Sequence, residues 1–466
     1  MAFDKLSSRD LLRREAETAV DANGSQMDCG SRAGDRARRS RHHQGDPEEC
    51  GARVRDCGLT MQPLGKIVVA SQHYPPDTST TAAIMAEIAC RLAAEHEVVV
   101  LSGWPGALAA SQTGEGKPRV IAIKNRMAGK AALARRAVSE FMFAARTFFA
   151  LIRQLRRGDV VLTVTAPFML PYAVAAAARL RGARSALIMH DLFPDVLVMA
   201  GLLKPGSFVT RTMRAANGLM FRALNAVITI GRDAERPLLR YSGMTRNKIR
   251  FIPNWATLVP GARPITSENP FRKALSARFV VGLSGNLGFT HDPEIVFEAA
   301  RLLKDQSEIH FLLSGWGIGF ERLKQLQTEA KLANVTFVTR VEDAELEAFL
   351  ASANLWIIPY RKDVAGVSVP SRFYNLLAVG RPVALVSEPD AEAALTVVEN
   401  GLGWVVTPGR ADQLADAIRA ASRADDGAMA RRAVNAAAKF DRTVAMNAYA
   451  GLIGELLRSP DLSEQR

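Results

Sequence analysis

The sequence predicts an α/β protein built from two doubly wound, Rossmann-like units that face each other across a cleft. Three observations carry this. Short, continuously apolar runs alternate with helical patterns, which is the signature of parallel strands covered on both faces. The alternation stops at Ile252-Pro-Asn-Trp-Ala-Thr-Leu-Val-Pro260, stays irregular to about Ser276, and then restarts. Finally, 466 residues exceed what one hydrophobic core usually serves.

In chain order, the first strand is Ile67-Val-Val-Ala70, followed by a loop with Tyr74-Pro-Pro-Asp77 and a helix at about 80–94. Strands follow at 96–101, 160–164, 185–189 and 226–230, separated by helical pattern. The second unit has strands at 279–283, 310–313, 335–338, 355–358, 382–385 and 403–406. A last helix from about Thr443 to Arg458 is expected to return to the first unit. The expected division is therefore 1–60 as an extension, 61–260 as a first Rossmann-like domain, 261–440 as a second, 441–458 as the returning helix and 459–466 as a tail.

Residues 1–60 have few aromatic or β-branched residues and no periodicity, so they are expected to be disordered. Met61 stands just before the first strand and is an expected alternative start. Hydrophobic content of 48% with 23% charged residues describes a globular protein. The first 60 residues hold 11 Lys+Arg and 11 Asp+Glu, so the net charge of +13 falls on the rest, with 49 basic against 36 acidic side chains. A basic folded body suits anionic partners. Nucleic acid is not expected, because no recognised module or stacking motif accompanies the charge. The four cysteines show no metal-ligand spacing, and their usage fits a reducing cytosol. No apolar run reaches membrane-spanning length, and the N-terminus lacks a signal-peptide h-region.

Four strand-end loops carry the candidate chemistry, because ligands in open α/β sheets collect at carboxyl strand ends. The most informative runs over 366–383. There Ser371 is expected to cap a short helix, with Phe373, Leu376 and Leu377 on its apolar face, Gly380 just past its end and Pro382 preventing continuation. Arg372 in the first turn opposes the helix dipole, and so makes sense if a phosphate sits at that end. An ordinary helix entry with a surface arginine is the alternative.

Ser284-Gly-Asn-Leu-Gly-Phe-Thr-His-Asp-Pro293 places Gly285 and Gly288 for close backbone approach, with Asn286 and His291 as donors. A plain glycine-rich bend would look the same. Ser314-Gly-Trp-Gly-Ile-Gly-Phe320 follows a middle strand, so it is not read as a dinucleotide fingerprint; Gly315 and Trp316 are expected to flank a base or diphosphate. In the first unit, His190 and Asp191 follow a strand directly. They suit contact with a sugar or movement of a proton, against a capped loop in which Asp191 only satisfies backbone N–H groups.

Residues 124–157 hold nine Lys and Arg against one acid, Glu140, interleaved with Phe141, Met142, Phe143, Phe148, Phe149, Leu151 and Ile152. This pattern suits a helix lying on an anionic membrane surface, or an ordinary packed helix with solvated arginines.

Taken together, Tyr74-Pro-Pro, His190-Asp-Leu-Phe-Pro-Asp, Ile252-Pro-Asn-Trp, Ser284-Gly-Asn-Leu-Gly and Val369-Pro-Ser-Arg, followed by Leu377-Ala-Val-Gly-Arg-Pro-Val, resemble glycosyltransferase family 4. The likeness spans about 66–440 and is nearest the branch that assembles bacterial polysaccharides such as colanic acid and O-antigen. The resemblance implies a GT-B architecture and a retaining, nucleotide-sugar-dependent transfer that needs no metal or other cofactor. It implies a lipid-linked saccharide acceptor and a cytoplasmic enzyme peripheral on the inner face of the plasma membrane. His190, with Asp191 beside it, would act at the donor sugar. Gly285, Asn286, Gly288, His291, Gly315, Trp316, Val369, Ser371 and Arg372 would hold the donor, with Asn375 by the ribose.

Two departures from the family pattern matter. Its paired glutamates fall on Val367 and Asn375, and its phosphate-gripping Arg and Lys fall on Asn286 and His291. That leaves Arg372 as the phosphate cation. The missing carboxylates keep open a second reading, a catalytically degenerate homologue that serves as a scaffold.

Overall fold

The computed structural model describes residues 65–459 except 78, 105, 108–115, 126–132, 276 and 425. The expectations for 1–60, for Met61 and for the tail beyond Ser459 lie outside the described residues. Two parallel sheets form the frame. The first contains β1 (Ile67–Ser71), β2 (Val98–Ser102), β3 (Arg119–Ala122), β4 (Val160–Val164), β5 (Arg184–Met189), β6 (Ala226–Thr229) and β7 (Ile249–Phe251). The second contains β8 (Phe279–Asn286), β9 (Ile309–Trp316), β10 (Val335–Val338), β11 (Leu355–Pro359), β12 (Val383–Val386) and β13 (Gly403–Val406).

Their strand orders are β3-β2-β1-β4-β5-β6-β7 and β10-β9-β8-β11-β12-β13. Each is doubly wound, so the order reverses between β1 and β4 in one sheet and between β8 and β11 in the other. A crevice opens at the carboxyl ends of those strand pairs. The central strands β1, β2, β4 and β6 are buried along their whole length, as their unbroken Val/Ile/Leu runs require. β3 and β7 were not expected from the sequence. Both lie at sheet edges and are partly exposed, so neither carries a continuous apolar run.

Helices cover both faces of each sheet. Ile67, Val69 and Val100 pack on one face with Ile84, Met85 and Ile88 of the helix Thr80–Ala93. Tyr449, Leu452 and Ile453 of the last helix, Arg442–Arg458, join that same cluster. Val68, Val99 and Val161 face Phe143 and Leu151 of the helix Leu133–Gln154. In the second sheet, fully buried Trp356 packs edge-on against Phe349. Each fully buried aliphatic or aromatic side chain contributes roughly 1.5–3 kcal/mol of burial free energy.

Two contacts across the domains fix how the sheets meet. The Asn375 Oδ1 accepts from Thr257 N and Leu258 N at 2.8 and 3.2 Å, and its Nδ2 donates to Thr257 Oγ1 at 2.9 Å. The connector between the domains is thereby pinned to the helix Ser371–Ala378. The loop after β6 meets the loops after β11 and β12 through Arg232 and Asp233. The carboxyl ends of the two sheets therefore face each other.

Candidate active site

At the second switch point the chain turns from β11 through a loop into the helix Ser371–Ala378. Pro370 occupies the cap position, and no side chain caps the first turn. Ser371 is the first helical residue and is exposed, which corrects the expectation that it is the cap. The far end closes with Gly380 N–H to Leu377 O at 3.0 Å and Arg381 N–H to Leu376 O at 2.9 Å, a Schellman arrangement.

Arg372 reaches from the first turn across the end of β8. Its Nη1 donates to Ser284 Oγ at 2.8 Å, and its guanidinium lies 5.5 Å from the Trp316 ring centre. Gly285, at φ +116°, makes this passage available: a Cβ there would stand 2.8 Å from Arg372 Nε. Arg340, just after β10, covers the same indole at 4.5 Å. Burial holds the Arg372 pKa below the usual guanidinium value, Asp343 opposes that shift, and the neighbouring Arg340 adds to it. Two guanidinium groups thus converge on Trp316 beside an uncapped helix N-terminus, an arrangement suited to an anion.

The other second-domain residues are placed as follows. Gly285 pairs with Gly315 and Asn286 with Trp316 in the β8–β9 register, and Asn286 is exposed. Gly288 O accepts from His291 N–H at 3.1 Å and so forms the turn into the next helix. The His291 Nδ1 is 2.9 Å from Thr290 Oγ1, and its ring lies 5.0 Å from that of Tyr360. Burial, with the Arg361 charge, pushes the His291 pKa down to about 4. It is therefore neutral at neutral pH and supplies no cation for a phosphate. Arg361 is turned to His291 O at 2.6 Å, and Lys362 is exposed. Val369 packs on the second-domain core. Asn375, expected by the ribose, has both ends of its amide engaged by the connector.

In the first domain, Thr165 Oγ1 at the end of β4 accepts from His190 N and Asp191 N at 3.2 and 3.3 Å. This holds the loop after β5 open at the switch point. Nε2 of His190 is buried and has no hydrogen-bond partner among the described residues. Burial pushes its pKa down to about 4 and pushes that of Asp191 up to about 6. At neutral pH the pair is thus a neutral imidazole and a carboxylate, and no hydrogen bond between their side chains is present. Across the cleft, burial raises the Tyr360 phenol, a hydrogen bond with Ser368 opposes it, and the Asp233 and Asp191 charges raise it further. The His190 loop is therefore within electrostatic reach of the second domain.

Sequence reasoning missed Arg340, Thr165, Asp233 and Tyr360. Arg340 had a signal, its place just beyond a strand end; the others are identified only by partners distant in sequence. Among the described residues no cluster of His, Cys, Asp or Glu could hold a metal ion, and no helix is long and apolar enough to cross a membrane.

Two parallel α/β units, facing through their switch points with a cationic, glycine-lined crevice in the second, define a GT-B glycosyltransferase. The chain belongs to glycosyltransferase family 4: a model of the glycosyl transferase 4-like domain matches residues 79–255 and one of group 1 glycosyl transferases matches 266–440. It is 29% identical over 271 residues to the probable glycosyltransferase WbjE of Pseudomonas aeruginosa, covering 58% of this chain and 66% of that protein. Over 287 residues it is 26% identical to the putative colanic acid biosynthesis glycosyl transferase WcaI of Escherichia coli, covering 60% and 70%. The chain thus spans just under two thirds of the length of WbjE. Among solved structures, Anabaena HepE in complex with UDP and glucose superposes with a TM-score of 0.62 at 18% identity, covering 84% of this chain and all of that one. At that identity the likeness is one of fold.

Proposed function

We propose that the enzyme transfers a sugar, with retention, from a nucleotide-sugar donor to a lipid-linked saccharide acceptor during polysaccharide assembly. The observation that carries this reading is Arg372, aimed across Gly285 onto Ser284 and Trp316 at the start of an uncapped helix. The donor diphosphate lies there. As the bond from the anomeric carbon to the diphosphate oxygen breaks, the electron pair passes to the diphosphate. Arg372, Arg340 and the helix N–H groups meet the growing charge, the kind of preorganised stabilisation that contributes most in a water-poor cleft. His190 contacts the sugar, and the Asp191 carboxylate faces the positive charge developing on it. The uridine nucleotide in the HepE complex makes a UDP-sugar the first donor to test.

Membrane contact belongs to the same reading. The helix Leu133–Gln154 buries Phe143 and Leu151 yet exposes Phe141 and Phe149, at 57% and 58%. Beside it runs a groove of about 430 Å³ lined by Lys124, Arg146, Phe149 and Arg153. Exposed aromatics next to uncompensated cations suit an anionic bilayer on the cytoplasmic side. Of the basic residues expected here, Arg126 and Lys130 lie outside the described residues. The test is a transfer assay in which UDP-, GDP- and TDP-sugars are offered with a membrane lipid extract. Sugar should be incorporated into the lipid fraction from one nucleotide class, with retained configuration in the product. Incorporation from none of them, or an inverted product, counts against the reading.

A further inference from the structure

The loop that leads to Arg372 is held by the opposite domain. Asp233, just after β6, accepts with one oxygen, Oδ2, from Gly366 N at 2.8 Å and from Glu392 N at 3.0 Å. Gly366 belongs to the loop after β11, and Glu392 opens the helix Glu392–Asn400 after β12. One first-domain carboxylate thus ties together the two second-domain strand-end segments that flank the donor crevice. Its neighbour reinforces the tie. Arg232 donates to Glu392 from N, Nε and Nη2 at 2.7, 2.9 and 3.1 Å, and to Glu399 from Nη1 at 2.9 Å. The Glu392 carboxylate is 4% exposed, so this ion pair is half desolvated.

The backbone is built for the approach on both sides. Gly366 sits at φ +74°, where a Cβ would lie 2.8 Å from Asp233 O and 2.9 Å from Pro237 Cγ. A Cβ on Gly231 would lie 3.0 Å from both the Glu392 Cβ and the Val369 Cγ2. Gly366 lets main chain meet main chain, and Gly231 leaves room for the Glu392 and Val369 side chains.

We propose that Asp233 is a positioning residue of the transferase, which shapes the donor loop from the acceptor-side domain so that domain closure and donor-loop formation are one event. The position next to Gly366 is Val367, where the family would place a glutamate. The loop lacks a carboxylate of its own there, and the carboxylate that organises it comes from the other domain. This rests on the reading of the 366–372 loop as the diphosphate site.

The test compares Asp233→Ala, Asp233→Asn and Gly366→Ala in the full chain, with UDP, GDP and TDP as calorimetric ligands and paired fluorophores reporting the inter-domain distance. Asp233→Ala leaves two N–H groups unpaired and is expected to weaken nucleotide binding about tenfold or more. It should raise donor KM more than it lowers kcat, and it should broaden the distance distribution. Asp233→Asn keeps an acceptor oxygen, and one oxygen serves both N–H groups, so it should restore binding to within about threefold of wild type. Gly366→Ala attacks the same contact from the other side and should weaken binding as Asp233→Ala does. The proposal is overturned if Asp233→Ala binds as wild type does, or if Asp233→Asn is folded and no better than Asp233→Ala. Should the wild-type protein bind none of the three nucleotides, the donor-loop reading fails. The clasp then stands on the distance measurement, and an unchanged distribution in Asp233→Ala sinks it.

Discussion

The two switch-point crevices share one topology and differ in charge. Between β8 and β11 the crevice presents Arg372 and Arg340 around Trp316, at the positive end of a helix. Between β1 and β4 it presents Thr165, holding the His190 loop, and a His73–Asp77 pair with Nδ1 2.6 Å from Oδ2. The strand order supplies both crevices, but the side chains select the ligand: fixed cations suit a diphosphate, whereas the neutral His190 imidazole and the carboxylates suit hydroxyl groups. A doubly wound sheet therefore says where a ligand goes and not which ligand it is.

The sharpest way to break this comparison is Arg372→Ala, which removes the charge-assisted grip while leaving the first crevice intact. Transfer is expected to fall by roughly 100-fold or more and nucleotide binding to be lost from calorimetric detection. His190→Ala attacks the other side. It should lower turnover by about 10²-fold and leave nucleotide affinity within about twofold, as seen by comparing kcat with the calorimetric Kd. If the two variants gave the same pattern, the division of labour between the crevices would be wrong.

The buried titratable groups give a smaller, sign-specific test. His190 and His291 have folded-state pKa values of about 4, below the ordinary 6.5. The unfolded chain binds protons that the folded one does not, so their contribution to stability is complete above pH 6.5 and is lost as the pH falls towards 4. Asp191, raised from 3.8 to about 6, acts in the opposite sense, contributing most below 3.8 and losing its contribution as the pH rises through 6. The two histidines thus push denaturant midpoints up as the pH rises between about 4 and 6, and Asp191 pushes them down. His291→Gln should lower the slope of the midpoint against pH and Asp191→Asn should raise it. The smallest effect is expected at the outer face. Phe149→Asp should reduce binding to phosphatidylserine vesicles several-fold and leave transfer to a soluble acceptor analogue unaffected.

Much of the frame was legible in the sequence, because buried parallel strands must be continuously apolar and their neighbouring helices amphipathic. Edge strands escaped. Arg119-Val-Ile-Ala122 and Ile249-Arg-Phe251 are half-exposed and alternate no more than a loop would. At the site, Arg372 could be singled out because a cation in a first helical turn works against the helix unless an anion follows. Arg340, Asp233 and Thr165 could not. Their roles depend on an indole, a glycine amide and a neighbouring loop that the sequence does not place beside them.

The sequence by itself determined two parallel α/β units, their order along the chain and the short helix that carries Arg372 in its first turn, since these follow from local periodicity. Only the tertiary structure decided that His291 is neutral, that Asn375 serves the connector, and that Asp233 reaches across to Gly366. Burial and long-range hydrogen bonding set those outcomes, and neither is a property of the neighbouring residues in the chain.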